Sequence, residues 1–493
     1  MTHIADDLVR WGVETPSAAF LIELDGTVRT YADVLGQARS VATALRRRGL
    51  RPGDRVLLLL PNGVDYLAAY YGTLLAGGTV VGLQTRTARR AVEYVASNCE
   101  PRLAVVAPDR PSLDLSGIAV PEIVAPRALL EGAGRDEPPA GGEGSIAQII
   151  YTSGTTGQPK GVMLSHAALR ANTSGIVEYL ELDASDRVGV VLDFVYSYGN
   201  SLLQTHCRVG GSLALLGELT FPARALDKLA EFACSGMSGV PSTFALLLSR
   251  GRLEGRDLPA LRYLTCAGGA LPPANLRRLQ ELLPDVRIYL MYGQTEASAR
   301  LSYLPPEELG RRPRSIGRGM PGVDLQVLET SGSRVRPGQE GEIAARGANL
   351  MSGYWGDAEA TREALRGDRL WTGDLATVDD EGFIYITGRR SDLIKTGAYR
   401  VHPREIEDAI TSMEGVHECV VVGVPDETWG EAVVACFRDG VAPPLSAIRQ
   451  HLRDLLPEYK WPRAIVEVSE IPRTASGKPK RRELVSLIAR SRR

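Results

Sequence analysis

Residues 151–161 read YTSGTTGQPKG. The short apolar run ending at Tyr151, followed at once by small and hydroxyl residues, predicts a strand that runs into a loop able to wrap a polyphosphate. Gly154 and Gly157 let backbone amides approach such a ligand, the hydroxyls of Thr152, Ser153, Thr155 and Thr156 add neutral donors, and Lys160 adds a positive charge. A flexible surface turn would share the composition but not the whole string with its lysine. The spacing is not that of a Walker loop, GxxxxGK followed by Ser or Thr, because only Gln158 and Pro159 separate Gly157 from Lys160.

The segments on either side of this loop alternate strand and helix. Residues 20–60 predict a strand at 21–23, a turn at Asp25 and Gly26, a helix at 31–49 and a strand at 55–60. Further apolar runs at 103–106, 148–151, 263–267 and 287–291 are separated by helical stretches, so the expected fold is α/β, with parallel-rich sheets flanked by helices. Residues 132–144, GAGRDEPPAGGEG, predict a surface loop. Beyond Arg389 the pattern changes to a small α+β domain with strands at 419–424 and 432–437. A hinge is expected at Arg390 and Ser391, giving a large N-terminal domain at 1–389 and a small C-terminal domain at 390–493.

A chain of 493 residues is too long for one ordinary core, and 44% hydrophobic with 24% charged residues is the balance of a globular protein. Lys and Arg number 57 against 59 acidic residues, which excludes a net basic field for nucleic acid or an anionic membrane. Cys99, Cys207, Cys234, Cys266, Cys419 and Cys436 form no CxxC pair and read as buried apolar residues in a reducing compartment. Asp6 and Asp7 stand where a signal peptide would need a basic, then apolar start, so the cytoplasm is expected. The most apolar stretch, 66–83, is interrupted by Gly72, Gly77 and Gly78 and predicts a buried helix followed by a strand, not a membrane span.

Other motifs follow the loop in order: AGGA at 267–270, YGQTE at 292–296, TGD at 372–374, Gly388 with Arg389, and RTASGK at 473–478. Together with the loop they resemble the adenylate-forming enzymes, a superfamily that includes acyl-CoA synthetases, peptide-synthetase adenylation domains and luciferases. The resemblance covers nearly the whole chain. It implies ATP, Mg2+ and a thiol acceptor, and a small domain that rotates between two half-reactions.

Each motif has its own chemistry. Tyr292 offers an aromatic face to a purine, with Gly293, Gly268, Gly269 and Ala270 beside the nucleotide; Thr295 offers a hydroxyl to the α-phosphate; Glu296, with Thr152, offers oxygen to magnesium. Asp374 can accept from both ribose hydroxyls, and Arg389 can reach ribose or phosphate. The bland readings are a turn glutamate, an N-cap aspartate and a surface ion pair. The resemblance assigns Lys478 to bridging the substrate carboxylate and the α-phosphate, where an ammonium at about 4 Å and an effective dielectric near 20 supplies roughly 4 kcal/mol per unit charge. His166 reads as part of a helix start, and His402, His417 and His451 lack partners for a triad or metal site.

DFVYSYGN at 193–200 resembles the family's acyl-lining segment. Tyr196 stands where many ligases of aryl and acyl acids carry histidine, and Ser197 where enzymes for α-amino acids carry aspartate. Without that carboxylate a buried ammonium is unpaired, so an α-amino acid is disfavoured. Tyr196, Tyr198, Val240 and Met291 predict a mainly apolar pocket, with Gly199, Gly239 and Gly268 leaving room for a chain or ring; plain core packing is the alternative. In IKTGAYRV, Ala398 replaces a usual glycine, and Lys395 and Arg400 are the candidates near the thiol. The expected activity is an AMP-forming acid–thiol ligase using CoA. A carrier-protein phosphopantetheine or an amine is the alternative acceptor, a non-catalytic nucleotide- or acyl-binding protein the alternative class, and a homodimer an open option.

Overall fold

The computed structural model describes residues 3–108, 117–131, 141–152, 158–397, 399–473 and 479–491. Contacts divide the chain into two units, one of Met1–Leu325 with Ala345–Leu370 and the other of Gln326–Ala344 with Trp371–Arg493.

The first unit is built on two sheets. One has seven strands, with Thr79–Gly82, Arg55–Leu59 and Leu103–Val106 side by side and parallel, and Ile146–Thr152 parallel to Thr79–Gly82. Such strands are buried on both faces, which is why they read as unbroken apolar runs. The other has nine strands, and its centre runs Arg187–Val190, Gly236–Gly239, Tyr263–Cys266, Arg287–Tyr292, all parallel.

Local chemistry sets the element ends. The helix Tyr31–Arg47 begins where Thr30 accepts from the Asp33 amide while Asp33 accepts from the Thr30 amide, a capping box. It stops two residues before the expected end because Gly49 turns at φ 79°. The apolar stretch at 66–83 divides as expected, into the buried helix Val64–Leu75 and the strand Thr79–Gly82. That helix lies close against Tyr31–Arg47: a Cβ at Gly72 would meet Val41 Cγ1 at 2.5 Å, so only glycine permits the approach. Among the described residues no helix is long and apolar enough to cross a membrane.

The second unit contains a sheet in which Val420–Asp426 and Gly430–Arg438 pair antiparallel, Ala464–Val468 lies parallel to the latter, and the hairpin Ile394–Thr396 with Tyr399–Val401 completes the edge. Alternation along these strands feeds two cores. Val421, Val433, Ala435 and Phe437 pack with Ile406 and Ile410 of the helix Pro403–Thr411, whereas Val420, Val422, Val434 and Cys436 pack with Leu484 and Ile488 of the helix Arg481–Ser491. The α/β expectation and the change to α+β toward the C-terminus both hold.

Candidate active site

The four adjacent parallel strands of the nine-stranded sheet end at one edge, and the chain leaving each carries a singled-out segment. Arg187–Val190 leads to 193–200, Gly236–Gly239 to Val240, Tyr263–Cys266 to Gly268, Gly269 and Ala270, and Arg287–Tyr292 to Gly293, Thr295 and Glu296. Carboxyl ends of neighbouring parallel strands are where open α/β sheets bind ligands. Gly268 lies at φ 88° and is exposed at this edge with Gly269 and Ala270. Gly293 is required by packing: a Cβ there would stand 2.0 Å from the Ala299 carbonyl oxygen.

The turn after Tyr292 is held from several sides. Two buried amides, of Asn172 and Asn349, each donate to the carbonyls of Ala297 and Arg300, at distances from 2.9 to 3.3 Å. Ser298, in left-handed backbone at φ 63°, donates its hydroxyl to the Asn349 carbonyl at 2.8 Å. Thr295 and Glu296 therefore sit on a fixed support.

The antiparallel pair Ile146–Thr152 and Lys160–Ser165 flanks the expected phosphate loop, with Thr152 opposite Lys160. Ser153, Gly154, Thr155, Thr156 and Gly157 lie outside the described residues. A short strand, Gly353–Tyr354, pairs with Val162 and Met163 and brings Tyr354 to both motifs. The Tyr354 hydroxyl donates to Glu296 Oε1 at 2.8 Å, and Lys160 Nζ lies 5.1 Å from the Tyr354 ring centroid. Tyr354 was not singled out in the sequence; the aromatic pair Tyr354–Trp355 after Gly353 was its only signal.

The segment 193–200 meets the same turn. Ser197 Oγ is 3.3 Å from Thr295 Oγ1, and Asn62 clamps the segment's start, accepting from the Phe194 amide at 3.0 Å and donating to the Leu192 carbonyl at 2.9 Å. Tyr196 precedes the helix Ser197–Val209; burial, then the Asp193 charge, pushes its phenol up to about 12. The Tyr198 hydroxyl stands 2.8 Å from Thr265 Oγ1, which stands 2.7 Å from Ser238 Oγ, so a chain of hydroxyls runs beneath a lining expected to be mainly apolar. Tyr179 donates to Met291 Sδ at 3.0 Å, and Val240 precedes the helix Pro241–Arg250.

Two of the glycines expected to leave room do something else. A Cβ at Gly199 would lie 2.0 Å from the Asp193 carbonyl oxygen, and one at Gly239 2.6 Å from Thr243 Cγ2, so both are spent on close packing within the chain. Arg300, which no sequence motif marks, is 2% exposed, with its guanidinium carbon 4.6 Å from the Tyr198 ring centroid.

In the second unit, Asp374 and Arg389 are direct cross-strand partners on Arg369–Val378 and Ile384–Arg389. Arg389 Nε donates to Asp374 Oδ1 at 2.7 Å, while Asp374 is 5% exposed. Glu342 supports the turn before it, accepting from the Gly373 amide at 3.1 Å and pairing with Arg390 at 3.1 Å. Lys395 and Arg400 face each other across the hairpin, both exposed. Ser391 is exposed and donates to Asp392 at 3.0 Å. Lys478 and Ala398 lie outside the described residues.

His166 opens the helix His166–Leu180, whose cap is Ser165, and its ring lies against that of His3, centroids 3.6 Å apart and planes tilted by 32°. Burial lowers His3 to about 4, His166 to about 3 and His206 to about 4. His402 stands 3.0 Å from a Glu340 carboxylate oxygen and His451 2.9 Å from the Ser412 hydroxyl. All six cysteines are free and buried.

These features belong to a known class. The chain matches the AMP-binding enzyme family over residues 8–355 and the AMP-binding enzyme C-terminal domain over residues 405–478, and it is a member of that family. It is similar to a feruloyl-CoA synthase of an Amycolatopsis species, 32% identical over 92% of each chain. An indoleacetate–CoA ligase of Aromatoleum aromaticum is 30% identical over 94% of this chain and 93% of its own. Among solved structures, ATP-bound MatB from Rhodopseudomonas palustris superposes with a TM-score of 0.88 at 28% identity, covering 98% of each chain.

Proposed function

We propose that the chain is an ATP-dependent, AMP-forming carboxylic acid–CoA ligase. A carboxylate oxygen of the acid attacks the α-phosphorus of ATP and pyrophosphate leaves; the thiol sulfur of CoA then attacks the acyl carbon and AMP leaves. The observation that carries this is the meeting of three motifs at one sheet edge: Ser197 of the acyl segment on Thr295, and Tyr354 joining Glu296 to the side of Lys160. A hydroxyl from each side and a carboxylate suit a site where an acid must reach a phosphate, a reaction in which positioning and charge compensation do most of the catalysis.

Residue roles follow from that reading. Thr152, the loop 153–157, Lys160, Gly268, Gly269, Ala270, Tyr292 and Gly293 hold the nucleotide. Glu296, whose Oε1 accepts from the Tyr354 hydroxyl, and Thr152 would hold Mg2+, which would supply charge neutralisation at the phosphates. Asp374 accepts from the ribose, oriented by Arg389, and Lys478 bridges carboxylate and α-phosphate. Tyr196, Ser197, Tyr198, Gly199, Val240 and Met291 are assigned to the acid, with Ser197 in place of an acidic partner for an α-ammonium. Lys395 and Arg400, like charges placed opposite each other, are assigned to the anionic acceptor, since such a pair gains from a bound anion. A boundary at 389/390 between an adenylating and a thioester-forming part, and a cytoplasmic location, complete the proposal; the six buried thiols support the latter.

Pyrophosphate release with a panel of acids tests the reading. Release that requires acid and ATP is the expected result, and none with any acid overturns it. Mass spectrometry with CoA against a carrier protein bearing phosphopantetheine identifies the acceptor.

A further inference from the structure

We infer that Arg300 selects an acid carrying a second anionic group, most simply a dicarboxylic acid, and holds that group at the far end of the acyl site. The inference rests on the ligase reading and deepens it.

Arg300 leaves the turn whose backbone the Asn172 and Asn349 amides fix, so its side chain starts from an anchored point. The residue is 2% exposed. Among the described residues no carboxylate forms an ion pair with it, and its Nε, also buried, has no hydrogen-bond partner. A guanidinium stays protonated at every accessible pH, so burial cannot be relieved by losing the charge. Its neighbours are neutral phenols: the guanidinium lies over the Tyr198 ring at 4.6 Å and is hydrogen-bonded to the Tyr179 hydroxyl, and its charge opposes the effect of burial on both. A cation–π contact softens the cost of a buried cation but does not supply the counter-charge that its planar fork is built to accept.

The location connects this charge to the acid. The Tyr198 face beneath the guanidinium belongs to the segment that also contributes Ser197, whose hydroxyl touches Thr295 at the proposed reaction centre. The other nearby phenol, Tyr179, is bonded to Met291 on the strand that ends in the YGQTE turn. An acid whose first carboxylate lies at Thr295 can therefore extend along Tyr198 and present a second carboxylate to Arg300. A purely apolar tail would leave the cation buried and unpaired, which disfavours it.

The test compares pyrophosphate release by the full chain for acids matched in length and shape, hexanoate against adipate and 3-phenylpropanoate against 3-(4-carboxyphenyl)propanoate. The diacid of a pair is expected to have a kcat/KM higher by about 30-fold or more, as for a desolvated charge pair. Arg300→Met should abolish that preference mainly through KM, because the tail contact is the same in ground and transition states. Arg300→Lys should retain part of it, and should the Met variant fail to fold, the wild type and the Lys variant decide. A wild type that uses the monoacids as well as or better than the diacids overturns this inference and leaves the ligase reading standing. Pyrophosphate from neither class overturns the ligase reading and this inference with it.

Discussion

The carboxyl edge of the nine-stranded sheet and the hairpin formed by Ile394–Thr396 and Tyr399–Val401 carry their polar residues in opposite ways. At the edge the polar groups around the YGQTE turn are tied, Glu296 to Tyr354, Thr295 to Ser197, Tyr198 to Thr265, and the intervening backbone to two asparagines, with Arg300 Nε the exception. On the hairpin, Lys395 and Arg400 stand exposed and opposed, with like charge. A step in which charge develops within a fixed array gains from groups that need not reorganise. A mobile, charged acceptor needs only to be attracted and then released.

Breaking the chemistry itself should have the largest effect. Lys478→Ala is expected to lower pyrophosphate release by ~1000-fold while sparing thioester formation from supplied acyl-AMP. Unchanged release in a coupled assay would remove Lys478 from the first step. Next comes Tyr354→Phe, which keeps the ring and deletes the donor to Glu296. A loss of about 10- to 100-fold is expected, steepest at limiting Mg2+, with an unchanged melting curve. Equal rates across a magnesium titration would show that Glu296 orients itself.

The tied edge is also tied to pH. His166 opens the helix after the strand Lys160–Ser165, and burial holds His3, His166 and His206 below their ordinary range, at about 4, about 3 and about 4. The folded chain then binds fewer protons than the unfolded chain once pH falls below about 6.5. Stability is complete above that value and declines as pH drops toward the folded values, approaching ~1.4 kcal/mol per pH unit for each imidazole. Denaturant melts between about pH 7 and pH 5.5 should record the decline, and a flat profile would mean the rings are hydrated. The smallest effects belong to the exposed pair: Lys395→Ala and Arg400→Ala should each raise the KM for CoA by roughly 5-fold or less. An equal change in the first half-reaction would contradict their assignment to the second.

Much of this arrangement is legible in the sequence, for physical reasons. Apolar runs such as 103–106 mark strands buried on both faces, and the motifs follow strand ends because that is where parallel sheets offer free backbone and side chains. Tyr354 is not legible, since its contact with Glu296 spans 58 residues and depends on a two-residue strand pairing with Val162 and Met163. Nor is Arg300, because exposed and buried arginines look alike in a string of letters. Gly199 and Gly239 mislead for a related reason: absence of a side chain can mean space for a ligand or contact with a carbonyl, and only packing distinguishes the two.

The asparagine clamp has a consequence for transplanting specificity between relatives. Residues 297–300 are held by Asn172, which lies on the helix His166–Leu180, and by Asn349, 49 residues beyond Arg300. A graft of the turn alone into another scaffold would carry the guanidinium but not the two amides that aim it. The portable unit is the turn together with both asparagines, three pieces of chain that must be moved as one.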